Sequence, residues 1–589
     1  MCGMAGIMTL NGETPPLVAL SAMEAALAHR GPDGTGHYRS ADVGMVQTRL
    51  AIIDLATGDQ PLYEPGGAAL MANGEIYNYI ELKRQLPGAV FTTQSDCELP
   101  LHLYRRYGLD FTRHLRGMYA VALHDPGAGR LVLARDPFGI KPLYYAETPQ
   151  GLAFASEPQA LLRGGLVKPV LNLDARNELL QLQFTTGRET PFDGILRVLP
   201  GESLVVMRGR IVERRRIEAL PGGGPEAISE EEALAVFDRA FADSVNVHQR
   251  ADVPYGMFLS GGIDSSAVLA MMARLNERPV KAFTIGFSHT EAVDERQAAR
   301  DVARSFGAEH VEVEFREGDF WQLLPEVAKA LDDPAADYAV LPTYKLASTA
   351  RAAGIKVILS GEGGDELFAG YGRYRSIMRA WWKGGKLLRG RGNLDKLGIL
   401  RGELTGWRDG IAASELAAAQ PGRSRLQVAQ ATDCADWLPN DLLTKLDRCL
   451  MAFGVEGRTP FLDPSVANAV FCLPDELKVK KGLGKWLLRR WVEQHVPAAA
   501  PMARKRGFTV PVAEWIGRRG AQLGPLVASQ PGIAELCLPG SVEKLFLHTE
   551  QRHAGFAAWT LLFYALWHRQ HIERRPPAGD VFATLASRA

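Results

Sequence analysis

The sequence predicts an α/β protein in two parts: a pair of stacked β-sheets with helices outside, then a doubly wound parallel sheet with a helical C-terminal portion. Three observations carry this expectation. From Cys2 to about Arg210 the chain shows many short apolar strands broken by Gly and Pro. After Glu230 the rhythm changes to strands alternating with amphipathic helices, the pattern of a parallel sheet whose ligands sit at the carboxyl ends of its strands. Two glycine-rich stretches, LSGGIDSS (259–266) and SGEGGDE (360–366), each follow an apolar strand-like run.

The elements follow in order. MCGMAGIM, VGMVQTRLAII, AALMANG, MYAVALH, RLVLARD, PLYYA, GLAFAS and GESLVVM read as strands, interrupted by helices at 19–28 and in CELPLHLYRRYG. A linker is expected at 214–229, where RRRIEALPGGGPEAIS combines charge, Gly and Pro. Next come helix EEALAVFDRAFADSVNVHQR, strand GMFLS, a helix from Ser265, strand KAFTIGF, helix VDERQAARDVARSFG, strand HVEVEF, helices FWQLLPEVAKAL and PTYKLASTARAAG, and strand IKVILSG. From Phe368 onward the pattern is mainly helical. Within it, 380–402 is basic and carries exposed-looking Trp381 and Trp382; it reads as a mobile or packing insertion rather than a binding patch, one that could shape access to a larger substrate.

Composition narrows the function classes. At 589 residues the chain exceeds one core, and roughly two to four units are expected. Lys+Arg and Asp+Glu both number 67, so no net field favours nucleic acid or an acidic membrane. No apolar run is long enough to span a bilayer, and the N-terminal residues lack a signal-peptide layout, which predicts a cytoplasmic protein. The six cysteines are scattered with no C-x-x-C pair, so neither a disulfide frame nor a zinc site is expected.

LSGGIDSS combines a strand end, a Gly-Gly turn and a helix start. Backbone N–H groups converge there, with the hydroxyls of Ser260, Ser265 and Ser266 beside them, so the stretch can cradle a phosphate chain. Asp264 fits an anion site only if Mg2+ bridges it to pyrophosphate. The ordinary G-x-x-x-x-G-K-S/T loop is absent. Cys2 would stand at the chain start once Met1 is removed, and the freed amino group, titrating at about 7.7 to 8.0, can act as base for its own thiol. HRGPDG (29–34), TRLAIID (48–54), NGEIYN (73–78) and SDCE (95–98) supply the polar groups that a small amide substrate needs. Taken singly, each of these is equally well explained as a structural ion pair or turn.

Together, in this order, they resemble the glutamine-hydrolysing asparagine synthetase family over nearly the full length. The resemblance implies an αββα Ntn-hydrolase glutaminase sandwich at 1–213, the linker at 214–229, and an ATP-pyrophosphatase domain of the PP-loop, adenine nucleotide alpha hydrolase-like type at 230–589. By resemblance Cys2 attacks glutamine, and Asn73 with the Gly74 N–H forms the oxyanion hole. Arg49 would clamp the glutamine carboxylate, Glu75 and Asp96 would hold its ammonium, and Leu50 and Ile53 would line the pocket. In the second domain Leu259, Ile285, Ser360 and Gly361 would border ATP, while Ser260, Gly261, Gly262, Ser265 and Ser266 would hold pyrophosphate. Asp264 and Asp365 would share Mg2+, Glu362 would take a proton from attacking ammonia, and Lys485 (with Lys481 as its competitor) would face the phosphates.

The implied reaction makes an acyl-AMP from a carboxylate and amidates it, with a largely apolar passage for ammonia between the sites and a homodimer as the assembly. ASEPQAL (155–161) and EGRTPFLDP (456–464) are expected to pack the domains together. The acceptor region is the looser match. Where relatives carry an arginine-containing R-A-S-T-P, this chain has AVLPT (339–343), and no arginine lies within 332–348. Aspartate leads as acceptor, with another carboxylate (a sugar acid, peptide or secondary metabolite) as the alternative. A β-lactam-forming synthetase or a degenerate binding homologue is disfavoured by the intact Cys2, Arg49, Asn73 and Asp96 and by Asp264, Glu362 and Asp365.

Overall fold

The computed structural model describes residues 2–587 apart from 289, 291–293, 380–384, 497 and 504–508. Trp381 and Trp382 lie outside the described residues. In the N-terminal unit, strand Cys2–Thr9 pairs antiparallel with Val43–Arg49 on one side and Gly151–Ala155 on the other. It sits in a six-stranded sheet; a second six-stranded sheet contains Ala69–Ile76 and Gly117–Asp125. Alternation along the first strand explains the layering. Met4 and Met8 face inward against Met45, Met71 and Phe154 between the sheets. Ala5 and Ile7 face outward against Leu20, Met23 and Leu27 of helix Leu17–Leu27. On the far side, Leu70 and Ala72 pack on Leu99, Leu101 and Leu103 of helix Leu99–Tyr107. With both faces of each sheet covered, the strands read as near-continuous apolar runs rather than half-polar ones. The expected helix–sheet–sheet–helix stack is present.

Strand Arg210–Arg216 runs past residue 213, so the first residues expected in the linker pair with Glu202–Met207 instead. Helix Glu230–His248 then begins at Ser229, whose side chain accepts from the Glu232 N–H, with Glu230, Glu231 and Glu232 at its positive end. The second sheet is wholly parallel, in the order Glu309–Phe315, Lys281–Phe287, Tyr255–Phe258, Val357–Leu359, Glu456–Arg458. Counted along the chain this is 3-2-1-4-5. The winding reverses between Tyr255–Phe258 and Val357–Leu359, and a crevice opens beyond the carboxyl ends of those two strands. LSGGIDSS and SGEGGDE leave the sheet at this point. The fifth strand, Glu456–Arg458, falls in the stretch read from sequence only as domain packing; three residues are too few for any period to show.

The remainder is mainly helical. Helix Arg552–His571 braces the segment after Ala330, since the indole N–H groups of Trp559 and Trp567 donate to the carbonyls of Ala336 and Asp332. Residues Asp433–Leu443 form a wide, π-type helix, a geometry often found at functional sites. Among the described residues no helix is long and apolar enough to cross a membrane.

The two units meet along a buried seam. An apolar cluster is continuous across it, joining Leu50, Ile52, Tyr77 and Met118 to Met257, Val357, Leu443 and Phe461. Beside it runs an ionic network. Arg30, with no exposed surface, donates to Glu157 at 2.7 Å and to both Asp447 oxygens at 2.8 and 3.1 Å. Arg448 donates to Asp447 at 3.0 Å and Asp332 at 2.8 Å, and Arg197 forks onto Asp333 at 2.6 and 2.8 Å. Burial pushes the Asp447 carboxyl up, but Arg30 and Arg448 hold it below its usual value. Glu157 belongs to ASEPQAL and Arg458 to EGRTPFLDP, so both stretches stand at the junction as expected. Removing one partner of a buried pair leaves the other charge uncompensated. Asp447→Ala should therefore cost about 3–5 kcal/mol, read as an earlier urea unfolding transition; a transition unmoved from wild type would show that the network contributes little.

Candidate active sites

The first centre surrounds the start of strand Cys2–Thr9. The Cys2 backbone N–H donates to Asn73 Oδ1 at 3.1 Å, and the Cys2 carbonyl accepts from Arg30 Nε at 3.1 Å. With its oxygen engaged, the Asn73 amide leaves Nδ2 buried beside Cys2 with no protein partner among the described residues. Gly74, at φ 155°, must be glycine: a Cβ would come 2.1 Å from the Met118 carbonyl oxygen. The thiol is pushed up by burial and drawn back by the positive chain terminus, the Leu50 N–H and Arg49. A thiol so placed needs a nearby base to become a nucleophile.

Arg49 lies opposite Cys2 in the strand register. Its guanidinium donates to Asp59 at 2.8 Å and to the Asp54 carbonyl. Asp59 is an exposed side chain, one that a substrate carboxylate can replace. Glu75 and Asp96 are both buried; Asp96 accepts from the Ile76 N–H at 2.6 Å. Burial and the neighbouring Asp96 raise Glu75 well above the usual carboxylate range, and burial raises Asp96. Two buried acids side by side suit an incoming ammonium. Leu50 is core and Ile53 packs against the same apolar cluster.

The second centre lies in the crevice of the parallel sheet. Gly262 caps helix Ile263–Leu275, and Asp264 occupies its first turn. Ser265 Oγ donates to the carbonyls of Ser260 and Gly262 and accepts from the Ser260 N–H, and Ser266 Oγ donates to the Gly262 carbonyl at 2.8 Å. These bonds hold the turn in shape. The two glycine-rich stretches touch through glycines of the second: a Cβ on Gly361 would lie 2.9 Å from Asp264 Cβ, and one on Gly364 would lie 2.6 Å from Asp264 Oδ1. That close approach brings Asp264 and Asp365 onto one cation, the Lys485 ammonium, which bonds Asp264 Oδ2 and lies 2.8 Å from Asp365 Oδ1. Lys485 is buried, whereas Lys481 sits in the turn of the hairpin Val479–Lys480/Leu483–Gly484, over the Trp486 ring.

Two carboxylates drawn onto one cation are a fitting donor set for Mg2+. Among the described residues no group of three or more acidic, His or Cys ligands could hold a metal. A Mg2+ held here would complete its shell from phosphates and water, the usual mode for this ion. Leu259 and Ile285 point into core, and the Leu259 carbonyl already accepts from Thr284 Oγ1 at 2.6 Å. Gly261 borders helix Arg296–Ser305 near Ala298. The Ser360 N–H donates to the Arg458 carbonyl at 2.9 Å, and Ser360 Oγ is buried without a protein partner among the described residues.

Glu362 faces Lys445 at 3.7 Å; burial raises it above the usual carboxylate range, Lys445 lowers it, and Asp337, Asp365 and Asp264 add to the rise. Lys445 also bonds Asp337 at 2.9 Å. Sequence reading passed over Lys445, Asp441 and Arg458. Lys445 lies in TKLDRCLM, a helix whose residues are all buried in the fold although half of them are polar or charged, so that its composition reads as a surface helix.

A glutamine amidotransferase domain model matches residues 1–216, and an asparagine synthase model matches 236–569. A glutamine-hydrolysing asparagine synthetase of Bacillus subtilis (strain 168) is 31% identical, covering 98% of each chain. A putative one of Mycobacterium tuberculosis is 33% identical over 97% of this chain and 98% of its own. A protein of Gibberella zeae named amidase chry2 is 33% identical over 64% of this chain and 60% of its own. The chain belongs to the glutamine-hydrolysing asparagine synthetase family, and is a glutamine-dependent, ATP-dependent ligase that forms a carbon–nitrogen bond.

Proposed function

We propose that the protein makes asparagine, moving the amide nitrogen of glutamine onto the β-carboxylate of aspartate at the expense of ATP. The observation that carries this reading is the pairing of two separate centres across one buried seam: Cys2 with Asn73, and Asp264 with Asp365 and Lys485. At the first, the Cys2 sulfur attacks the glutamine carboxamide carbon. The oxyanion meets Asn73 Nδ2 and the Gly74 N–H, donors fixed before the charge develops. Ammonia leaves, and water releases glutamate from the thioester. Arg49 binds the substrate carboxylate, while Glu75 and Asp96 bind its ammonium.

At the second, the aspartate β-carboxylate attacks the α-phosphorus of ATP and pyrophosphate departs into the turn formed by Ser260, Gly261, Gly262, Ser265 and Ser266. Mg2+, when bound, neutralises charge on that leaving group, and Asp264 with Asp365 would hold it. Lys485 supplies a point charge to the same phosphates. Ammonia then attacks the acyl carbon, AMP leaves, and Glu362 takes the surplus proton, a role its raised pKa suits.

Pyrophosphate release with glutamine, ATP and Mg2+ across a panel of acceptors tests the assignment. Aspartate should support release, and release that responds only to another carboxylate would sink it. Cys2→Ala should lower glutamine-dependent synthesis about a thousand-fold or more while ammonia-dependent synthesis persists; joint loss would contradict two separate centres. Asp264→Asn should slow pyrophosphate release on the order of a hundred-fold with glutaminase turnover retained, and unchanged release would remove Asp264 from the metal and phosphate site.

A further inference from the structure

Within electrostatic reach of Glu362 lies a carboxylate that no protein group hydrogen-bonds among the described residues, and beyond it an arginine with an unbonded edge. Asp441 is wholly buried, and neither carboxylate oxygen has a hydrogen-bond partner among the described residues. It lies within electrostatic reach of Lys445, Asp337, Glu362 and Arg389. Lys445 in turn faces Glu362 at 3.7 Å, so Asp441 stands next to the proposed amidation point. Burial, with Asp337 beside it, raises the Asp441 carboxyl well above its usual range.

Arg389 comes from the basic insertion. Its guanidinium is clamped between two rings, 4.0 Å from the centroid of Trp437 and 4.9 Å from that of Phe184. Stacking fixes the plane but leaves the edges free. On one edge, Nε and Nη2 are buried without a hydrogen-bond partner among the described residues, and Asp433 stands 3.6 Å away. Asp433 is shared: Arg373 grips its Oδ2 at 2.8 and 3.0 Å, and its Oδ1 faces Arg389 beyond hydrogen-bond reach. Burial and the neighbouring Arg373 push Arg389 down to about 10, while Asp433 and Asp441 draw it back in part. Asp433, Trp437 and Asp441 recur every four residues along the wide helix Asp433–Leu443, which lines them up beneath Arg389.

A side-on Nε/Nη2 fork matches a carboxylate bidentately, and a buried carboxylate beside it matches an ammonium. Together they fit an α-amino acid zwitterion whose side-chain carboxylate reaches toward Glu362. We propose that Arg389 binds the α-carboxylate of the acceptor and Asp441 its α-ammonium, so that the insertion supplies the arginine absent from 332–348 and selects an α-amino dicarboxylic acid. This rests on aspartate as acceptor and names the residues that recognise it.

The experiment measures aspartate-dependent pyrophosphate release in wild type, Arg389→Ala, Arg389→Lys and Asp441→Asn. Succinate, which lacks the ammonium, and β-alanine, which lacks the α-carboxylate, serve as competitors. Glutaminase turnover, read at the other centre, reports that each variant is folded. Arg389→Ala should raise KM for aspartate on the order of a hundred-fold with kcat changed only a few-fold; it should lose inhibition by succinate and keep that by β-alanine. Asp441→Asn should show the reverse selectivity, and Arg389→Lys should recover only part of the loss. A wild type that responds to aspartate with an Arg389→Ala KM within about threefold of it overturns this assignment alone, as does equal weakening of both competitors. A wild type indifferent to aspartate but active as a glutaminase overturns the acceptor reading and this assignment with it.

Discussion

Both centres depend on Arg458, a guanidinium with no exposed surface that is held between the two units. It donates to Glu456 at 2.5 Å and to the carbonyls of His248 and Arg250 at 2.8 and 2.7 Å, and its remaining nitrogen lies 3.5 Å from Glu75. Its own carbonyl receives the Ser360 N–H. One residue therefore stands against the acid pair proposed for the glutamine ammonium and also fixes the backbone where SGEGGDE begins. A cation that cannot reach water must be met by groups at fixed positions, and those groups come from strands and loops of both units. The nearby His248, wholly buried, is pushed down to about 4 by that burial and stays neutral beside the arginine.

The second constraint is steric. Asp264 and Asp365 belong to stretches about a hundred residues apart, and Asp264 could not approach the second stretch past a side chain at Gly361 or Gly364. The sheet order brings the two turns to one crevice, and the glycines bring their acids onto one ammonium. Sheet order alone would juxtapose the turns without making a site.

Much of this was legible in the sequence. Strand–turn–helix punctuation placed both glycine-rich turns at strand ends, and the change of rhythm near Glu230 separated an antiparallel from a parallel unit. What escaped reading did so for physical reasons. Glu456–Arg458 is too short for a period, and Arg210–Arg216, an edge strand dense in arginine, has the composition of a linker. Lys445 and Asp441 act through burial, and a sequence does not show which charged residues lose their water. Arg389 falls in a stretch whose basic, glycine-rich composition reads as a mobile or packing insertion and singles out no residue; only the fold brings Phe184 from the other unit against it.

That insertion also resolves an imbalance in the energetics of the acceptor region. Along the seam, buried charges are matched in pairs: Arg30 with Glu157 and Asp447, Arg448 with Asp332, Arg197 with Asp333. Arg389, which has Asp433 only at 3.6 Å, and Asp441 instead keep polar edges with no hydrogen-bond partner among the described residues, at real cost to the folded state. Two groups of opposite sign, each with hydrogen-bonding capacity that the protein leaves unused, are poorly explained as scaffold. They are well explained where a ligand carrying both an anion and a cation completes them, because the stability withheld from the empty protein then reappears as binding energy directed at one chemical class of acceptor.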